Sequence, residues 1–420
     1  MPSRTELFGG RNLLNRFKAI EPESDSCMRI LFVHEVSWFS KVVYEIHDIP
    51  ELLSLNGHEV HFLEFEENNS RAHWKSVVTT ETRSHAGSKV GVISPPHIFS
   101  GILRRLAAIV IQPLVFIQQL KTINPDVVVT YSIPTSGWQV VAICRRKGIP
   151  VVVRAIDVSH KLRKTRFEGA IKLAERFVYS HADHVCANND ALRKYCIRLG
   201  ASPTRSSVIY PGIDLERFTP APPDVDLQIQ LGIQPTDRVL IFMGTIFRFS
   251  GLVELLTELA HSLRKDPTVK FLILGDGEDF NRLKQHATVL GLQNQVLMPG
   301  RIEYDSLANY LHRGTVALLP FKQELVTHGA LPGKVLQYLA CGLPTISTPL
   351  DGLMSMIPPA NGVIFANDLA EMAILAIDLV RNPYQRQGIS DLGINLVTEL
   401  CNWDYQITKF ERLLGSLTRA

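Results

Sequence analysis

Short apolar runs alternate with stretches of helical spacing along most of the chain. A short apolar run bounded by turn residues predicts a buried strand, and apolar positions that recur every three or four residues predict a helix. In the first half, the predicted strands are 28–33, 58–63, 126–130, 149–153 and 184–187. The predicted helices there are 40–55, 138–147 and 189–199, with one or two amphipathic helices in 98–120. The polar and irregular residues 64–97 predict a long loop.

The same alternation returns in the second half of the chain. The predicted strands are 238–243, 269–274, 295–298 and 315–319. The predicted helices are 252–263, 280–290, 306–311 and 404–418. Two blocks of strand–helix alternation predict an α/β protein with two doubly wound domains. Ligands then bind at the carboxyl ends of the strands, in the crevice between the domains.

The predicted domain organisation has five parts, whose boundaries follow the changes in pattern. They are an N-terminal extension at 1–27, expected to be disordered, a first domain at 28–212, a linker at 213–224, a second domain at 225–402 and a last helix at 403–420. Prolines mark the linker, because proline stiffens the chain and cannot continue a helix. We therefore expect two folding units joined by a short, stiff segment.

One stretch, 331–348, combines a loop, a helix, a turn and a strand. Pro332 suits the first helical position, Gly342 a left-handed helix stop, and Pro344 prevents continuation. The amino end of such a helix presents unpaired N–H groups and partial positive charge, so an anion binds there readily. Lys334 adds a full charge within the first turn, and it is either solvated or the partner of an anion.

The pattern P-x-K-x-x-x-Y-x-A-x-G-x-P in this stretch, followed by a short strand, resembles the donor-site helix of GT-B glycosyltransferases, in particular the retaining family 4. Residues 28–63 resemble the first βαβ unit of that family, and 207–218 resemble its crossing between domains. The resemblance covers about residues 28–419. It implies two Rossmann-like domains facing a central cleft, an acceptor side in the first, nucleotide-sugar binding in the second, and a last helix that crosses back to the first.

The resemblance implies that four strand ends converge on the donor nucleotide. The implied donor-binding residues are Gly244, Thr245, Ser250, Gly275, Gly277, Gly300, Arg301, Leu331, Pro332, Gly333 and Gln337. Relatives carry an Arg and a Lys where Thr245 and Ser250 stand, and those cations hold the diphosphate. We therefore predict that Arg248 and Lys334 supply the positive charge, as two of three catalytic residues.

A pair of glutamates eight positions apart is also altered. Gln337 stands at the second place, whose glutamate holds the ribose hydroxyls in relatives, and it can still donate and accept hydrogen bonds. The first glutamate would fall on Gly329 and is missing. Glu324 and His328, on the loop before it, are candidate substitutes.

The acceptor side is predicted from the first domain. Asp157 follows the strand 149–153 at the place of a His-Asp pair in the family, and it is the third predicted catalytic residue. Ile156 stands where the His would fall, and His160 either replaces that His or lies on the surface. Arg154 is predicted on the acceptor side as well. Trp38, in a first loop that lacks the Gly-Gly of relatives, either offers an apolar face to an acceptor or packs in the core.

Composition limits the class of protein. With 420 residues, 45% of them hydrophobic and 20% charged, the chain suits a globular protein of two domains or more. It has no apolar run of about 18 residues and no apolar signal-peptide core, so we expect neither a spanning helix nor a leader. Six cysteines without C-x-x-C or paired His spacing predict reduced core residues in a cytoplasmic protein, and no metal site.

The net charge of +3 is unevenly spread. Residues 1–210 hold 27 Lys and Arg against 19 Asp and Glu, whereas the remainder hold 17 against 22. This basic half, with a cluster at 161–176, suits an anionic membrane face or a pyrophosphate-linked acceptor, and equally a solvated basic face. The stretch 98–120, with Arg104 and Arg105, fits peripheral contact with the inner face of the cytoplasmic membrane or packing on the sheet. Nucleic acid is not expected, because aromatic residues do not interleave the basic ones.

The resemblance implies a retaining glycosyltransferase of the hexosyltransferase type. It moves a sugar from a UDP- or GDP-sugar to a lipid-linked, polysaccharide or other glycan acceptor, and requires no cofactor beyond that donor substrate. One alternative is a GT-B subunit that binds nucleotide sugar, has impaired catalysis and needs a partner. A sugar-nucleotide epimerase is a second alternative. A nicotinamide oxidoreductase is disfavoured, because no Gly-x-Gly-x-x-Gly follows the first strand.

Overall fold

The computed structural model describes two α/β domains, each built on a largely parallel sheet, which confirms the predicted fold class. The residues it describes are 27–65, 76–96, 101–131, 136–158, 168–324, 327, 329–359 and 361–418, with backbone alone for 101–106. No helix in this part of the chain is long and apolar enough to cross a membrane. All six cysteines are free thiols, and five are buried, but Cys27 is exposed and so is not the core residue predicted.

The first domain is built on an eight-stranded sheet of order β3-β4-β2-β1-β5-β6-β7-β8, in which β3 runs antiparallel to β4. Its strands are β1 (Arg29–Val33), β2 (Glu59–Leu63), β3 (Val77–Thr80), β4 (Val90–Ser94), β5 (Val127–Thr130), β6 (Val151–Ala155), β7 (His184–Ala187) and β8 (Ser206–Val208). Its helices are α1 (Glu45–Leu55), α2 (Gly101–Ile123), α3 (Gly137–Lys147), α4 (Glu168–His181) and α5 (Asp190–Arg198). Helix α1 covers one face and α2 to α5 cover the other, so the central strands are buried on both sides.

The second domain is built on a six-stranded parallel sheet of order β11-β10-β9-β12-β13-β14. Its strands are β9 (Arg238–Met243), β10 (Val269–Leu274), β11 (Val296–Gly300), β12 (Val316–Leu319), β13 (Thr345–Ser347) and β14 (Val363–Phe365). The helices from here to the end are α6 (Val225–Leu231), α7 (Leu252–Lys265), α8 (Phe280–Val289), α9 (Leu307–Leu311), α10 (Lys334–Ala340), α11 (Asp351–Met356), α12 (Leu369–Arg381), α13 (Pro383–Leu400) and α14 (Trp403–Thr418).

Two strands, β3 and β4, lie within residues 64–97, for which we predicted a loop. Strand β3 is exposed along its whole length, so it has no alternation of buried and exposed positions. Strand β4 carries Gly91, where a Cβ would lie 2.6 Å from Nδ1 of His61 on the neighbouring strand. The glycine that this packing requires weakens the strand pattern. The prediction was therefore wrong here.

The two domains are joined by two adjacent segments. The backbone N–H of Ile213 donates to the carbonyl of Cys401 at 2.7 Å. The ring of Trp403 lies against Gly212, where a Cβ would come within 2.1 Å of it. Beyond this junction α14 packs against α1 and buries Phe410 and Leu414 in the core of the first domain. The carboxyl-terminal helix thereby ties the end of the chain to its first half.

Candidate donor and acceptor site

The carboxyl ends of β9, β10 and β11 meet at one edge of the second sheet. Gly244 donates its N–H to the carbonyl of Leu274 at 2.8 Å. Gly275 donates its N–H to the carbonyl of Gly300 at 2.7 Å. Gly275 has a φ of +133°, and a Cβ there would lie 2.1 Å from the carbonyl oxygen of Gly244, so only glycine fits. A Cβ at Gly277 would likewise come within 2.4 Å of a neighbouring carbonyl.

The Lys334 side chain lies at this edge. Its Nζ is 4.7 Å from the ring centre of Phe242 and 4.9 Å from that of Phe321. It also packs on Gly244, where a Cβ would stand 2.1 Å from Nζ. Burial lowers the pKa of Lys334 to about 7. Lys334 is half-buried, and among the described residues no carboxylate lies within 4.0 Å of Nζ. The amine is therefore partly withdrawn from water and has no anionic partner there.

Helix α10 begins at Lys334, so Pro332 is not in its first turn as predicted. Gly333 is the residue before the helix, and its carbonyl accepts the N–H of Leu336 at 3.0 Å, which tightens the first turn. Gly333 is exposed, with open space where a Cβ would be, and Gln337 is half-buried one turn later. Leu331 packs in the core. The exposed backbone of this segment therefore centres on Gly333.

Tyr338 ties α10 to the end of β9. Its buried hydroxyl accepts the N–H of Met243 at 2.6 Å and donates to the carbonyl of the same residue at 3.4 Å. Tyr338 follows Lys334 by four positions, so the two side chains lie on one face of the helix. The sequence motif contained this tyrosine but assigned it no role. The need of a buried hydroxyl for a partner was the available signal.

Three further predicted donor residues differ in their surroundings. The buried Ser250 Oγ accepts the N–H of Phe247 at 3.1 Å and donates to the carbonyl of Thr245 at 3.3 Å. Ser250 therefore holds its own loop together, which corrects its assignment as a donor-binding side chain. Thr245 is exposed, as are Arg248 and Arg301, and no carboxylate of the described residues lies within 4.0 Å of either guanidinium.

The end of β6 faces the loop before α10 across the cleft. Val158 Cγ2 is 3.8 Å from the position of a Cβ on Gly329, and Asn189 Nδ2 donates to the Gly329 carbonyl at 3.3 Å. Asp157, beside Val158, is half-buried. Burial, with the negative charge of Glu45, raises the pKa of Asp157 to about 7. A carboxyl group that is partly protonated at neutral pH thus stands near the donor-side loop.

Trp38 and Arg154 do not line the acceptor side, which corrects both assignments. Trp38 is fully buried, with its ring centre 4.7 Å from those of Phe62 and His47. Arg154 pairs with Glu45 through two hydrogen bonds of 2.7 and 2.9 Å and donates to the carbonyl of Ile209 at 2.8 Å. Helices cover both faces of this sheet, so an aromatic ring that packs on a strand is buried. Arg154 lies within a buried strand, and a buried guanidinium must be paired.

The other predicted residues are only partly described. His160 and His328 lie outside the described residues. Glu324 is exposed, and its N–H donates to Thr327 Oγ1 at 3.0 Å. Within the described ranges, no group of three or more His, Cys, Asp or Glu side chains is placed to hold a metal ion.

Two doubly wound domains with a glycine-lined edge in the second, facing strand ends of the first, define a protein of the GT-B class. The family model described as "Glycosyl transferases group 1" matches residues 226–388. The model described as "Glycosyltransferase Family 4" matches residues 47–217. The chain therefore belongs to the group 1, family 4 type of GT-B glycosyltransferases, as its motifs predicted.

Curated relatives cover parts of the chain. The GDP-mannose-dependent monoacylated alpha-(1-6)-phosphatidylinositol monomannoside mannosyltransferase of Corynebacterium glutamicum is 26% identical over 54% of this chain and 60% of its own. The D-inositol 3-phosphate glycosyltransferase of Frankia alni is 28% identical over 61% of this chain and 66% of its own. The matches thus span slightly less than two thirds of each of these two relatives.

Solved structures share the fold over almost the whole chain. Sucrose-phosphate synthase from Thermosynechococcus elongatus superposes with a TM-score of 0.76 at 16% identity, over 92% of this chain and 98% of its own. Anabaena HepE in complex with UDP-glucose superposes with a TM-score of 0.71 at 17% identity, over 92% of this chain and 99% of its own. At these identities the likeness concerns the fold.

Proposed function

We propose that the chain is a retaining glycosyltransferase that moves a sugar from a UDP- or GDP-sugar to a lipid-linked, polysaccharide or other glycan acceptor. The observation that carries the proposal is Lys334, whose Nζ lies at the carboxyl end of β9 without an anionic partner among the described residues. A half-buried amine that lacks a carboxylate partner gains electrostatic stabilisation when a diphosphate binds beside it. One curated relative is named as GDP-mannose-dependent, and one similar structure was solved in complex with UDP-glucose. Both names support a nucleotide-diphosphate sugar as the donor.

In this proposal the protein lowers the barrier chiefly by stabilising the departing diphosphate. Lys334 contributes one positive charge from beneath the phosphates, and the exposed Arg248 reaches them from its loop. The backbone N–H groups near Gly333 add dipoles, Gly275 and Gly277 let the diphosphate approach the backbone closely, and Gln337 binds the ribose. Groups fixed in place before reaction are effective, because they need no reorganisation as charge develops. Asp157, partly protonated at neutral pH, donates a hydrogen bond to a hydroxyl of the transferred sugar.

The test is release of UDP or GDP from a panel of UDP- and GDP-sugars with candidate glycan acceptors. We expect Lys334→Ala and Arg248→Ala to lower kcat by about 100- to 1,000-fold each, the cost of removing one donor to developing charge. Lys322→Ala is the matched control, because Lys322 already pairs with Glu254 at 2.7 Å. Unchanged turnover in both test variants, with folding confirmed by circular dichroism, would refute the proposed roles.

A second candidate function is a nucleotide-sugar-binding subunit that needs a partner for catalysis. The internal hydrogen bonds of Ser250 favour it, because this side chain takes the place of a phosphate-binding cation in relatives and is unavailable to the donor. Single-turnover measurement separates the two candidates. If the isolated chain binds the donor but transfers no sugar, the result supports the function of a nucleotide-sugar-binding subunit.

The first domain also has a surface that suits peripheral contact with the inner face of the cytoplasmic membrane, and we include this contact in the proposal. Val110 and Leu114 are each 63% exposed on α2, and Trp138 is exposed at the start of the adjoining helix α3. Pro113 cannot donate to the Ile109 carbonyl, and Gln139 Nε2 does so instead at 2.9 Å, which ties α2 to α3.

The same helices and the neighbouring α4 also carry exposed basic residues, and we call these apolar and basic residues together the α2–α3 surface. The exposed basic residues on α2, α3 and the neighbouring α4 are Lys121, Arg145, Arg146, Lys147, Lys172 and Arg176. Exposed apolar side chains and exposed positive charges on adjoining helices fit an anionic bilayer. A lipid-linked acceptor would be made at such a surface.

A further inference from the structure

Two aromatic side chains stack at the carboxyl ends of the central strands β1 and β5. The N–H of His34, directly after β1, donates to the carbonyl of Leu63 at 3.1 Å, and the N–H of Tyr131, directly after β5, donates to that of Val33 at 3.0 Å. Their ring centres are 5.0 Å apart and the ring planes differ by 21°. His34 is 8% exposed and Tyr131 is 5% exposed. Both lie at the strand edge where ligands bind in doubly wound sheets.

The hydrogen bonds of His34 determine which of its nitrogens carries the proton. Its Nδ1 accepts the backbone N–H of Glu35 at 2.8 Å. Burial, reinforced by the positive charge of Lys41, lowers the pKa of His34 to about 3, so the imidazole is neutral. The proton therefore resides on Nε2, which becomes a donor. Among the described residues no acceptor lies within hydrogen-bond distance of Nε2.

Two hydroxyl groups in the same region are equally without partners. Neither the Tyr131 hydroxyl nor the buried Ser136 Oγ makes a hydrogen bond within the described residues. Ser136 immediately precedes α3 but does not cap it, and its N–H donates to Glu35 Oε1 at 2.9 Å. A buried polar group left unpaired costs about 1–3 kcal/mol. His34 and Tyr131 stack on each other, and Ser136 is joined to this strand end through Glu35, so a polar molecule bound there would satisfy these unpaired groups.

We propose that His34, Tyr131 and Ser136 form the hydroxyl-binding subsite for the acceptor, a neutral sugar or polyol ring. The inference rests on the proposed function and assigns the acceptor contacts to residues other than Trp38 and Arg154. His34 donates to a hydroxyl oxygen, and the two hydroxyl groups donate or accept as the ring requires. All three groups are uncharged, which suits the hydroxyl groups of a neutral ring. Asp157 follows the adjacent strand β6, toward the donor-side loop.

Tyr131→Phe tests the subsite, because it removes only the hydroxyl. Tyr179→Phe is the matched control: its buried hydroxyl lies in α4 near the amino end of β7, at the opposite edge of the sheet. The probes are methyl α-glucopyranoside, methyl α-mannopyranoside and myo-inositol, observed by saturation-transfer NMR on protein saturated with UDP or GDP. We expect a probe signal with the wild type that falls at least fivefold in Tyr131→Phe and Ser136→Ala, but stays unchanged in Tyr179→Phe.

The thermal midpoint and nucleotide binding separate this role from a structural one. Tyr131→Phe should keep or raise the midpoint, because an unpaired buried hydroxyl is lost, and should leave the Kd for UDP or GDP within twofold. No probe signal with nucleotide-saturated wild type, or an equal signal in Tyr131→Phe, overturns the subsite. If no nucleotide binds, the proposed function fails, and the same probes on ligand-free protein decide the subsite by the same comparison.

Discussion

At the scale of single residues, Lys334 carries most of the account. A lysine in a protein is usually solvated or paired with a carboxylate. The Lys334 side chain instead packs on Gly244, with its Nζ close to the rings of Phe242 and Phe321. Sequence reasoning singled out Lys334 from its place in the motif. It could not determine that the side chain is half-buried against aromatic rings, because this packing depends on Phe242 and Phe321, which lie outside the motif.

The lowered pKa of Lys334 makes donor binding dependent on pH. With a folded pKa of about 7, Lys334 is mostly neutral at pH 8 in the ligand-free protein and mostly charged at pH 6. A diphosphate favours the charged form, so binding at pH 8 should take up close to one proton, and affinity should fall as pH rises above about 7. Calorimetry of UDP or GDP binding at pH 8, in buffers of different ionisation enthalpy, measures the uptake.

Lys334→Met should bind the nucleotide more weakly and abolish this uptake. Lys322→Met should retain the uptake, because Lys322 is paired with Glu254. Wild-type binding without proton uptake at pH 8 would mean that Lys334 remains charged in the ligand-free protein, or that it does not meet the diphosphate.

At the scale of elements, the buried strands of both sheets were predicted well, whereas the exposed edge strand β3 and the start of helix α10 were not. The predicted bounds of β7, β9 and β10 coincide with those observed, because buried strands leave continuous apolar runs. Strand β3 was missed, because an exposed edge strand has no apolar run. The start of α10 was misplaced by two residues, because a proline marks the beginning of a helix only approximately.

The two halves of the candidate site also differ in how well the sequence predicts them. The second-domain half follows local motifs, so Gly275 and Lys334 could be found from the resemblance of those motifs to the family's. The first-domain half joins residues that are far apart in sequence, such as His34 and Tyr131, and no local pattern marks that contact. The sequence alone is equally consistent with two roles for Trp38, because an aromatic residue after a strand either packs in the core or contacts a ligand. Its burial favours the core.

The link between α10 and β9 gives a prediction at this scale. Tyr338→Phe removes the acceptor of the Met243 N–H and leaves a buried donor unpaired, so we expect a loss of about 1–3 kcal/mol in the free energy of unfolding. It should also weaken nucleotide binding, because Lys334 and the β9 end are positioned by this contact. Urea denaturation and calorimetry measure the two effects. Tyr384→Phe, at a fully solvated side chain, should change neither, and an unaffected Tyr338→Phe would contradict the anchoring role.

At the scale of the whole molecule, the junction between domains is built by distant parts of the chain. Arg154 joins Glu45 of α1 to the carbonyl of Ile209 just before the crossing, and Lys409 of α14 donates to the carbonyl of Val208 at 2.7 Å. The crossing is thereby held from both ends of the sequence. This explains why Arg154, predicted on the acceptor side, is a structural residue.

The proposed membrane contact is also a property of the whole molecule. Val110→Glu on the α2–α3 surface should reduce co-sedimentation with vesicles of phosphatidylcholine and phosphatidylglycerol by at least fivefold, because it replaces an exposed apolar side chain by a carboxylate, which an anionic bilayer repels. Val289→Glu is the control, because it makes the same substitution at an exposed valine of the second domain, and it should leave sedimentation unchanged. Pure phosphatidylcholine vesicles should bind less protein than the mixed ones. Equal sedimentation of both variants and the wild type would contradict this surface.

The most direct test of the central claim is the thermal unfolding of the wild type and Lys334→Met with millimolar UDP, GDP, ADP, CDP and TDP. A ligand at 100 times its Kd stabilises the folded state by about 2.7 kcal/mol, which moves the midpoint by several degrees. We predict that UDP or GDP shifts the wild type and that the shift largely disappears in Lys334→Met. A shift of equal size in both proteins, or none with any nucleotide, would contradict a donor site built around Lys334.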